Sequence, residues 1–408
     1  MPIAPPRRTA GFSLIEMMVA IAIAAFLLLG ITQVFSASKN NYLSQEALSR
    51  IQENARFAMI RLQRSVRMAG YLGAGNDLNR LAAGNASNFI NHLAPNGVDA
   101  TLFQHRFHRS IEVFDANDSN DGAEPQPGGA GSWTPALPPA IADAAPLTGS
   151  DILVVRHFSE ESIPLAGFNT TNDTLIALTP TFPDGRPFVA KGIYGVGNYR
   201  FADVFQASAV NGVQLSAPYG ASSNPGNTYQ FDAANSPGKT WRGDREVEYG
   251  LQAGSGQRWW NAELHRAEYT VYYVGRGANG QPALMMQTLQ ESTGQLENRE
   301  LIDGIESLQV LVGIDTSTPA NDGADVYRTG AQVAAGAASD ADRDARWRSA
   351  RSLQIGLLLR SPAPFVSPRP TEPALTVLDR RMTRPNDGYL RQTYQTTVSL
   401  RNRVSNSM

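Results

Sequence analysis

The residue types that most often carry chemistry are sparse in this chain. It contains no cysteine and five histidines, which excludes thiol nucleophiles, disulfides and cysteine-ligated zinc sites. His105 and His108 have an i, i+3 spacing, but zinc sites use three or four ligands and two histidines alone seldom hold the metal. The sequence has no Gly-x-Ser-x-Gly elbow, no Walker A loop and no His-Glu-x-x-His pair. The pattern therefore argues against a hydrolase.

Residues 275–280 form a literal Gly-x-Gly-x-x-Gly motif after a predicted strand. A dinucleotide site would need a helix directly afterwards, because the helix N-terminus holds the pyrophosphate. Here Gln281 and Pro282 lead instead into a second strand-like run. The motif therefore predicts the turn of a β-hairpin, and no cofactor is expected from it.

Two loops are rich in the oxygen ligands that calcium prefers. Neither loop carries the glutamate that completes an EF-hand at position twelve. Asn, Asp and Gly are also the usual residues of surface turns, so calcium binding and a plain turn both stay open. The carboxylates concerned are Asp115 and Asp121 in the first loop and Asp315, Asp322 and Asp325 in the second.

A carboxylate inside an apolar run is the most unusual feature of the sequence. Residues 12–31 are apolar except for Ser13 and Glu16. Twenty helical residues span about 30 Å, the thickness of the hydrocarbon core of a bilayer. A charged side chain in the middle of a membrane helix costs about 2.5 to 3.5 kcal/mol on insertion scales, so Glu16 should have a partner. The alternative is a signal anchor whose glutamate reaches the membrane edge.

The position of small residues predicts where the chain is cut. No convincing Ala-x-Ala site follows the apolar run, but Gly11 precedes it. Cleavage after Gly11 would remove only the leader 1–11 and keep the apolar helix on the mature protein. Arg7 and Arg8 in the leader should stay cytoplasmic, which places the remainder of the chain across the membrane.

The segment 11–17 closely resembles the signature of type IV pilins and pseudopilins. It has the glycine (Gly11), the aromatic first mature residue (Phe12) and the glutamate at the fifth mature position (Glu16). The resemblance implies that a prepilin peptidase cleaves between Gly11 and Phe12 and that Phe12 becomes N-methylated. It also implies that Glu16 pairs with the amino group of a neighbouring subunit's Phe12 during filament assembly.

The helix is predicted to continue far beyond the membrane. Proline is absent from residues 12–67, and Gly70 is a plausible C-terminal stop. One helix of roughly 55 residues should therefore have an apolar half for the bilayer or filament core and an amphipathic half for a globular domain. Apolar residues recur with the helical period at Leu48, Ile51, Ala55, Ala58, Leu62 and Val66.

After Gly70 the pattern changes to short strands between long, turn-rich segments. The predicted loops are 115–146, 216–239, 316–344 and 361–373. The predicted fold class is α+β, with the long N-terminal helix packed on a large antiparallel β-rich head. The predicted strands are 151–158, 269–274, 283–289, 308–314, 353–359 and 396–400.

The C-terminal third resembles the PilW family of type IV pilus assembly proteins. The resemblance implies a non-enzymatic minor pilin, inserted in the bacterial inner membrane with a periplasmic head and later placed at the pilus tip. Its implied partners are the prepilin peptidase, other minor pilins, the major pilin and a tip adhesin. The residues that carry the resemblance are 301–310, 313–315, Trp347, 353–361 and 396–402.

These expectations divide the chain into a cleaved leader (1–11), a pilin helix (12–69, transmembrane over 12–31) and a head (70–408). The runner-up function is a tip pseudopilin of a type II secretion system, and a third alternative is an uncut, signal-anchored periplasmic enzyme or binding protein. The near-neutral charge, with 35 basic and 37 acidic residues, gives no basic field for nucleic acid. About 340 residues follow the helix, a bulk that favours a terminal position over a place in a regularly packed shaft.

Overall fold

The computed structural model describes most of the chain outside the leader and several connecting segments. The long N-terminal helix and a β-rich head account for nearly all of the ordered elements described below. Structural statements refer to residues 11, 13–73, 89–93, 102–117, 125–169, 174–198, 202–217, 262–290, 294–317, 323–364, 374–383 and 385–403.

Helix α1 spans Leu14–Met68 and has 55 residues, a length of about 80 Å. The predicted helix is therefore confirmed. Its last buried residue is Val66, and Gly70 follows with φ of 75°, the left-handed conformation that ends helices and favours glycine. The described residues before position 43 are all exposed, whereas the second half of α1 packs on the head.

The head contains a large mixed sheet in which nearly every strand pair is antiparallel. The exception is the parallel pair β1 and β7. The strands pair in the order β1-β7-β6-β10-β4-β5-β9-β8, with β11 and β12 added beside β10 and β2 and β3 beside β4. The strands are β1 Phe89–Asn91, β2 Ile111–Ala116, β3 Trp133–Thr134, β4 Ile152–Asn169, β5 Thr174–Ala177, β6 Ile193–Gly197, β7 Ala202–Gln206, β8 Ala209–Asn211, β9 Gln214–Ser216, β10 Glu263–Arg276, β11 Pro282–Leu289 and β12 Leu296–Asp303.

A second sheet of four strands, in the order β14-β13-β15-β18, lies under α1, and a two-stranded ribbon, β16 and β17, accompanies it. Apolar residues of α1 and of both larger sheets form one core cluster. The predicted α+β class with a helix packed on antiparallel sheet is thus confirmed. These strands are β13 Ile305–Ile314, β14 Val326–Arg328, β15 Ala350–Arg360, β16 Leu375–Val377, β17 Arg380–Met382 and β18 Arg391–Ser399.

The six predicted strands all lie within or beside observed strands, and the motif at 275–280 is a hairpin turn. Strands β10 and β11 pair in antiparallel register up to Arg276 opposite Pro282. No helix follows the motif among these described residues, so the prediction of a turn is confirmed. The register puts Tyr273 opposite Met285, well inside the sheet.

Two predicted loops were wrong in part, because they contain short elements with buried side chains. The segment 115–146 includes β3, whose Trp133 is 1% exposed and donates its indole N–H to the Ser150 carbonyl at 2.8 Å. The segment 316–344 includes β14, helix α3 (Gly330–Ala334) and the start of helix α4 (Asp340–Arg348). Ser339 accepts a hydrogen bond from Asp342 N as the N-cap of α4. The short helices are α2 Pro139–Ala142, α3 Gly330–Ala334 and α4 Asp340–Arg348.

The two larger sheets are joined by a buried carboxylate. Asp151 accepts hydrogen bonds from the backbone N–H of Ala116 (2.9 Å) and of Val310 (2.9 Å), one in each sheet. Its own N–H donates to the Leu308 carbonyl at 2.7 Å. Burial, reinforced by the nearby Asp115 carboxylate, raises the pKa of Asp151 to about 7. Asp151 is therefore a buried polar link between the two sheets.

Candidate functional site

The first turn of α1 is a capping box. The Ser13 hydroxyl accepts a hydrogen bond from Ile15 N at 3.4 Å, and the Glu16 carboxylate accepts one from Ser13 N at 3.0 Å. Sequence reasoning assigned Glu16 a role between subunits and missed Ser13. The signal was present, because Ser-x-x-Glu before an apolar run is the usual sequence of this cap.

The cap places the Glu16 carboxylate beside the free N–H groups at the positive end of the helix dipole, which favours a negative charge there. An ionised carboxylate has capacity for about four hydrogen bonds. The single bond from Ser13 therefore leaves room for a second, positively charged partner. Gly11 is exposed, and Phe12 lies outside the described residues.

The segment from Leu14 to Phe35 presents an apolar surface on every side of the helix. By length and composition it is suited to cross a membrane, and none of it is buried against the head. Soluble monomers rarely expose apolar patches larger than a few hundred Å², so this surface is consistent with membrane anchoring. Large side chains that are more than half exposed include Leu14, Ile15, Met18, Ile21, Ile23, Phe26, Leu28, Ile31 and Phe35.

The second half of α1 is fixed to the head by both apolar and polar contacts. Its buried apolar residues are those predicted from the helical period, except that Leu48 is only half-buried and Ala47 takes part instead. Gln63 Nε2 donates to Thr396 Oγ1 on β18 at 2.8 Å. At the end of the helix, Asn402 Nδ2 donates to the Arg67 carbonyl at 2.9 Å. These contacts fix the second half of α1 on the head.

A buried charge network lies in the same C-terminal region. The Glu306 carboxylate accepts from Arg360 at 3.0 Å and from Arg391 Nε at 2.6 Å, and Arg391 also pairs with Asp387 at 2.6 Å. Burial lowers the pKa of the Arg391 guanidinium, but its bonds to Asp387 and Glu306 outweigh burial and raise that pKa. From its sequence neighbourhood alone Arg391 would be expected on a solvated face, but this side chain is a buried ion-pair partner.

The described carboxylates among the calcium candidates are bonded to protein groups. Asp115 pairs with Arg380 at 3.3 Å and Asp315 with Arg351 at 3.4 Å. Asp325 accepts from Thr316 N at 2.7 Å. Asp121 and Asp322 lie outside the described residues. Within the described part of the chain, no group of three or more His, Asp or Glu side chains is arranged to hold a metal, and calcium binding stays a prediction.

The two histidines at i, i+3 lie in a buried basic cluster instead of a metal site. Burial, followed by the charge of Arg156, lowers the pKa of His105 to about 4. Burial and then Arg109 lower the pKa of His108 to about 3. Both rings are therefore neutral at physiological pH. Beneath them Arg156 pairs with Glu112 at 2.7 Å, so the cluster is held by ion pairs.

Two family matches bear on this geometry. Residues 6–32 match the prokaryotic N-terminal methylation motif, and residues 271–402 match the type IV pilus-assembly protein W family, PilW. The two matches support a PilW-type minor pilin. The first match, over residues 6–32, includes most of the exposed apolar half of α1. The second begins inside β10 and includes β18, the strand bonded to the packed half of α1.

The other comparisons add little. No curated protein sequence matches this chain. A type IV-like pilin from Thermus thermophilus is 15% identical over an alignment that covers 38% of this chain and 74% of the other, with a TM-score of 0.21. That TM-score carries no argument about fold or function. The similarity to pilus proteins therefore rests on the two family matches, which imply interaction with the pilus machinery and with other pilins.

Proposed function

We propose that this minor pilin is a low-copy member of a complex that primes type IV pilus assembly and stays at the filament tip. The observation that carries the proposal is a long helix whose apolar half contacts nothing in its own head, joined to a head of about 340 residues. The apolar half suits packing with other pilins. The bulk of the head suits a terminal position, since it would crowd a regular shaft.

The proposed maturation starts in the inner membrane. Arg7 and Arg8 hold the leader in the cytoplasm, and the head lies in the periplasm. A prepilin peptidase cleaves between Gly11 and Phe12, and the new amino group of Phe12 is methylated. This step removes the basic leader and leaves a positive amine one residue before the capping box.

In the proposed assembly step, Glu16 pairs with the Phe12 amine of a neighbouring pilin. The capping box already holds the carboxylate near the start of the helix, where an amine from an adjacent helix could reach it. Pairing would neutralise two charges that are costly in an apolar environment. The proposed partners are other minor pilins, the major pilin and a tip adhesin, and the contribution of this chain is binding instead of catalysis.

The assembly step is tested by co-purification from detergent-solubilised membranes. The wild type, Glu16→Gln and the control Glu46→Gln are tagged at the C-terminus, and bound pilins are identified by mass spectrometry. Glu46 lies on the same helix and forms a partly exposed pair with Arg50 at 2.9 Å. We expect Glu16→Gln to be processed normally and to recover fewer pilins, with Glu46→Gln resembling the wild type. Equal recovery by all three proteins would remove the assembly role of Glu16.

Processing and tip position need separate measurements. Gly11→Leu should leave the intact leader on a membrane-bound protein, and normal processing of this variant would contradict the cleavage assignment. Sheared pili of different mean length should contain a constant number of copies per filament, counted by quantitative mass spectrometry. A copy number that grows with filament length would place the protein in the shaft instead.

A further inference from the structure

The head has a polar pocket on the large sheet, away from the N-terminal motif of α1. Its volume is about 390 Å³, within the range of small-molecule sites. It lies between the turn at 102–105, the short helix α2 and the facing strands β11 and β12. This pocket is remote in sequence from the N-terminal motif, and it is built by three separate parts of the chain.

Two adjacent buried side chains in the wall have unused hydrogen-bonding capacity. Gln104 is 8% exposed and lines the pocket, and its carboxamide makes no hydrogen bond to another described residue. His105 is 2% exposed, and its Nδ1 likewise has no partner among the described residues. Buried polar groups are normally hydrogen-bonded, and each exception needs an explanation. A bound polar ligand that forms a hydrogen bond with the Gln104 carboxamide would explain why this group has no partner in the protein.

The other polar groups of the wall are held in place by a hydrogen-bonded chain. Gln287, 2% exposed, accepts from the Tyr269 hydroxyl at 3.1 Å and donates to the Ala140 carbonyl at 2.9 Å. It also donates to Asn298 Oδ1 at 3.1 Å, and the Tyr273 hydroxyl donates to the same oxygen at 3.1 Å. Because its Oδ1 accepts both bonds, the Asn298 amide orientation is fixed. This is the preorganisation that reduces the ordering cost of binding.

The charge of the wall restricts the ligand class. Asp143 is the one carboxylate among the described lining residues, and burial keeps His105 neutral with a pKa of about 4. The remaining polar groups are carboxamides, which both donate and accept. Leu102 and Leu296 add an apolar patch. A ligand that fits has many hydroxyl or amide groups, one apolar face and no net negative charge.

We propose that this pocket binds a neutral sugar residue of a glycan. A pyranose ring presents hydroxyls at its edge for Gln104, Asn298 and Asp143, and a C–H face for the apolar patch. The proposal does not depend on cleavage, on the position in the filament or on Glu16. The glycan could belong to the cell's own envelope or to a foreign surface, and the same chemistry serves either source.

Binding is measured on the full-length mature protein in a polyoxyethylene detergent, because sugar-headed detergents would compete for the pocket. The titrants are N,N′-diacetylchitobiose, which represents envelope glycan, and lactose, which represents animal-surface glycan. Calorimetry is run on the wild type, on Gln104→Leu and on Gln395→Leu, an exposed glutamine of β18 that serves as the matched control. Asp143→Ala is a second variant at an exposed position.

We expect at least one disaccharide to bind, and its identity separates the two sources. Gln104→Leu should weaken that binding by about tenfold, the loss of one hydrogen bond, whereas Gln395→Leu should leave it unchanged. If Gln104→Leu melts at a lower temperature than the wild type, Asp143→Ala replaces it with the same expectation. No binding of either disaccharide at millimolar concentration overturns the proposal. Binding that is equal in all four proteins overturns it as well.

Discussion

The two halves of helix α1 have the same backbone conformation but opposite surroundings. Leu28 in the first half is 61% exposed, whereas Leu62 in the second half is fully buried in the core of the head. Burying a leucine side chain contributes about 1.5 to 3 kcal/mol. The second half therefore stabilises its own fold, and the first half has apolar surface available for lipid or for other subunits. The same continuous helix thus has one half that completes the core of the head and another half whose surface is available to lipid or to other subunits.

The largest expected effect comes from matched truncations in the two halves. Leu62→Ala should lower the free energy of unfolding of the head by about 2 to 5 kcal/mol, because it leaves a cavity in the core. Leu28→Ala should leave that free energy unchanged. Thermal unfolding of the detergent-solubilised proteins, followed by tryptophan fluorescence, measures both. An equal loss in the two variants would show that the first half also packs on the head.

The free energy of unfolding of the head should also depend on pH, through a residue that lies outside α1. The pKa of Asp151 is about 7 in the folded protein and near 3.8 when unfolded, so only the folded state holds this proton between those values. The contribution of Asp151 to stability therefore falls as pH rises, by about 1.4 kcal/mol per unit between pH 5 and 7. Denaturant unfolding at each pH should show this fall in the wild type relative to Asp151→Asn. A difference that stays constant or rises with pH would contradict the assignment.

Two glycines with the same backbone conformation test how closely two segments of the head approach each other. Gly304 and Gly280 both have φ of 75°. A Cβ at Gly304 would lie 2.9 Å from the Arg360 carbonyl oxygen, whereas at Gly280 nothing lies within 4 Å. Alanine at either position has a left-handed strain of about 1 to 2 kcal/mol, and Gly304→Ala adds the clash. Gly304→Ala should thus melt at a lower temperature than Gly280→Ala, and the reverse order would contradict the close approach of the Arg360 carbonyl to the turn between β12 and β13.

The smallest expected effect is at the start of the exposed half. Ser13→Ala removes the hydroxyl of the capping box, a change that costs about 1 kcal/mol of helix stability. The head should keep its unfolding temperature, while amide hydrogen exchange at residues 14–17 in micelles should become faster. Ser13→Asp is the control, because aspartate is an equally good N-cap. Slower or unchanged exchange in Ser13→Ala would argue that membrane burial alone fixes this turn.

Much of the helix and several strands follow from local patterns. The spacing from Ile51 to Val66 determines which side of α1 is buried, and alternation or continuous apolar runs mark strands such as β13 and β15. The hairpin at 275–280 follows from the strand-like run at 283–289, which stands where a dinucleotide site would need a helix. These features depend on neighbours close in sequence, so one sequence is sufficient to predict them.

The remaining features depend on contacts between distant segments. Asp151 joins two sheets through Ala116 and Val310, and nothing in its own neighbourhood indicates that partner pair. The pocket proposed to bind a sugar is likewise lined by Gln104, by residues of helix α2 and by the strands β11 and β12. The sequence around Arg391 does not indicate that it is buried. Its ion-pair partner Glu306 lies on β13, and Arg360 on β15 contacts the same carboxylate. Ser13 is different, because its capping motif was local and could have been recognised.

The most direct test of the account is the N-terminal residue and intact mass of the protein extracted from membranes and from sheared pili. The account predicts a chain that begins with N-methylated Phe12 and keeps the apolar half of α1 in both fractions. A soluble protein that lacks residues 12–35, or a membrane protein that keeps the leader 1–11, would contradict it.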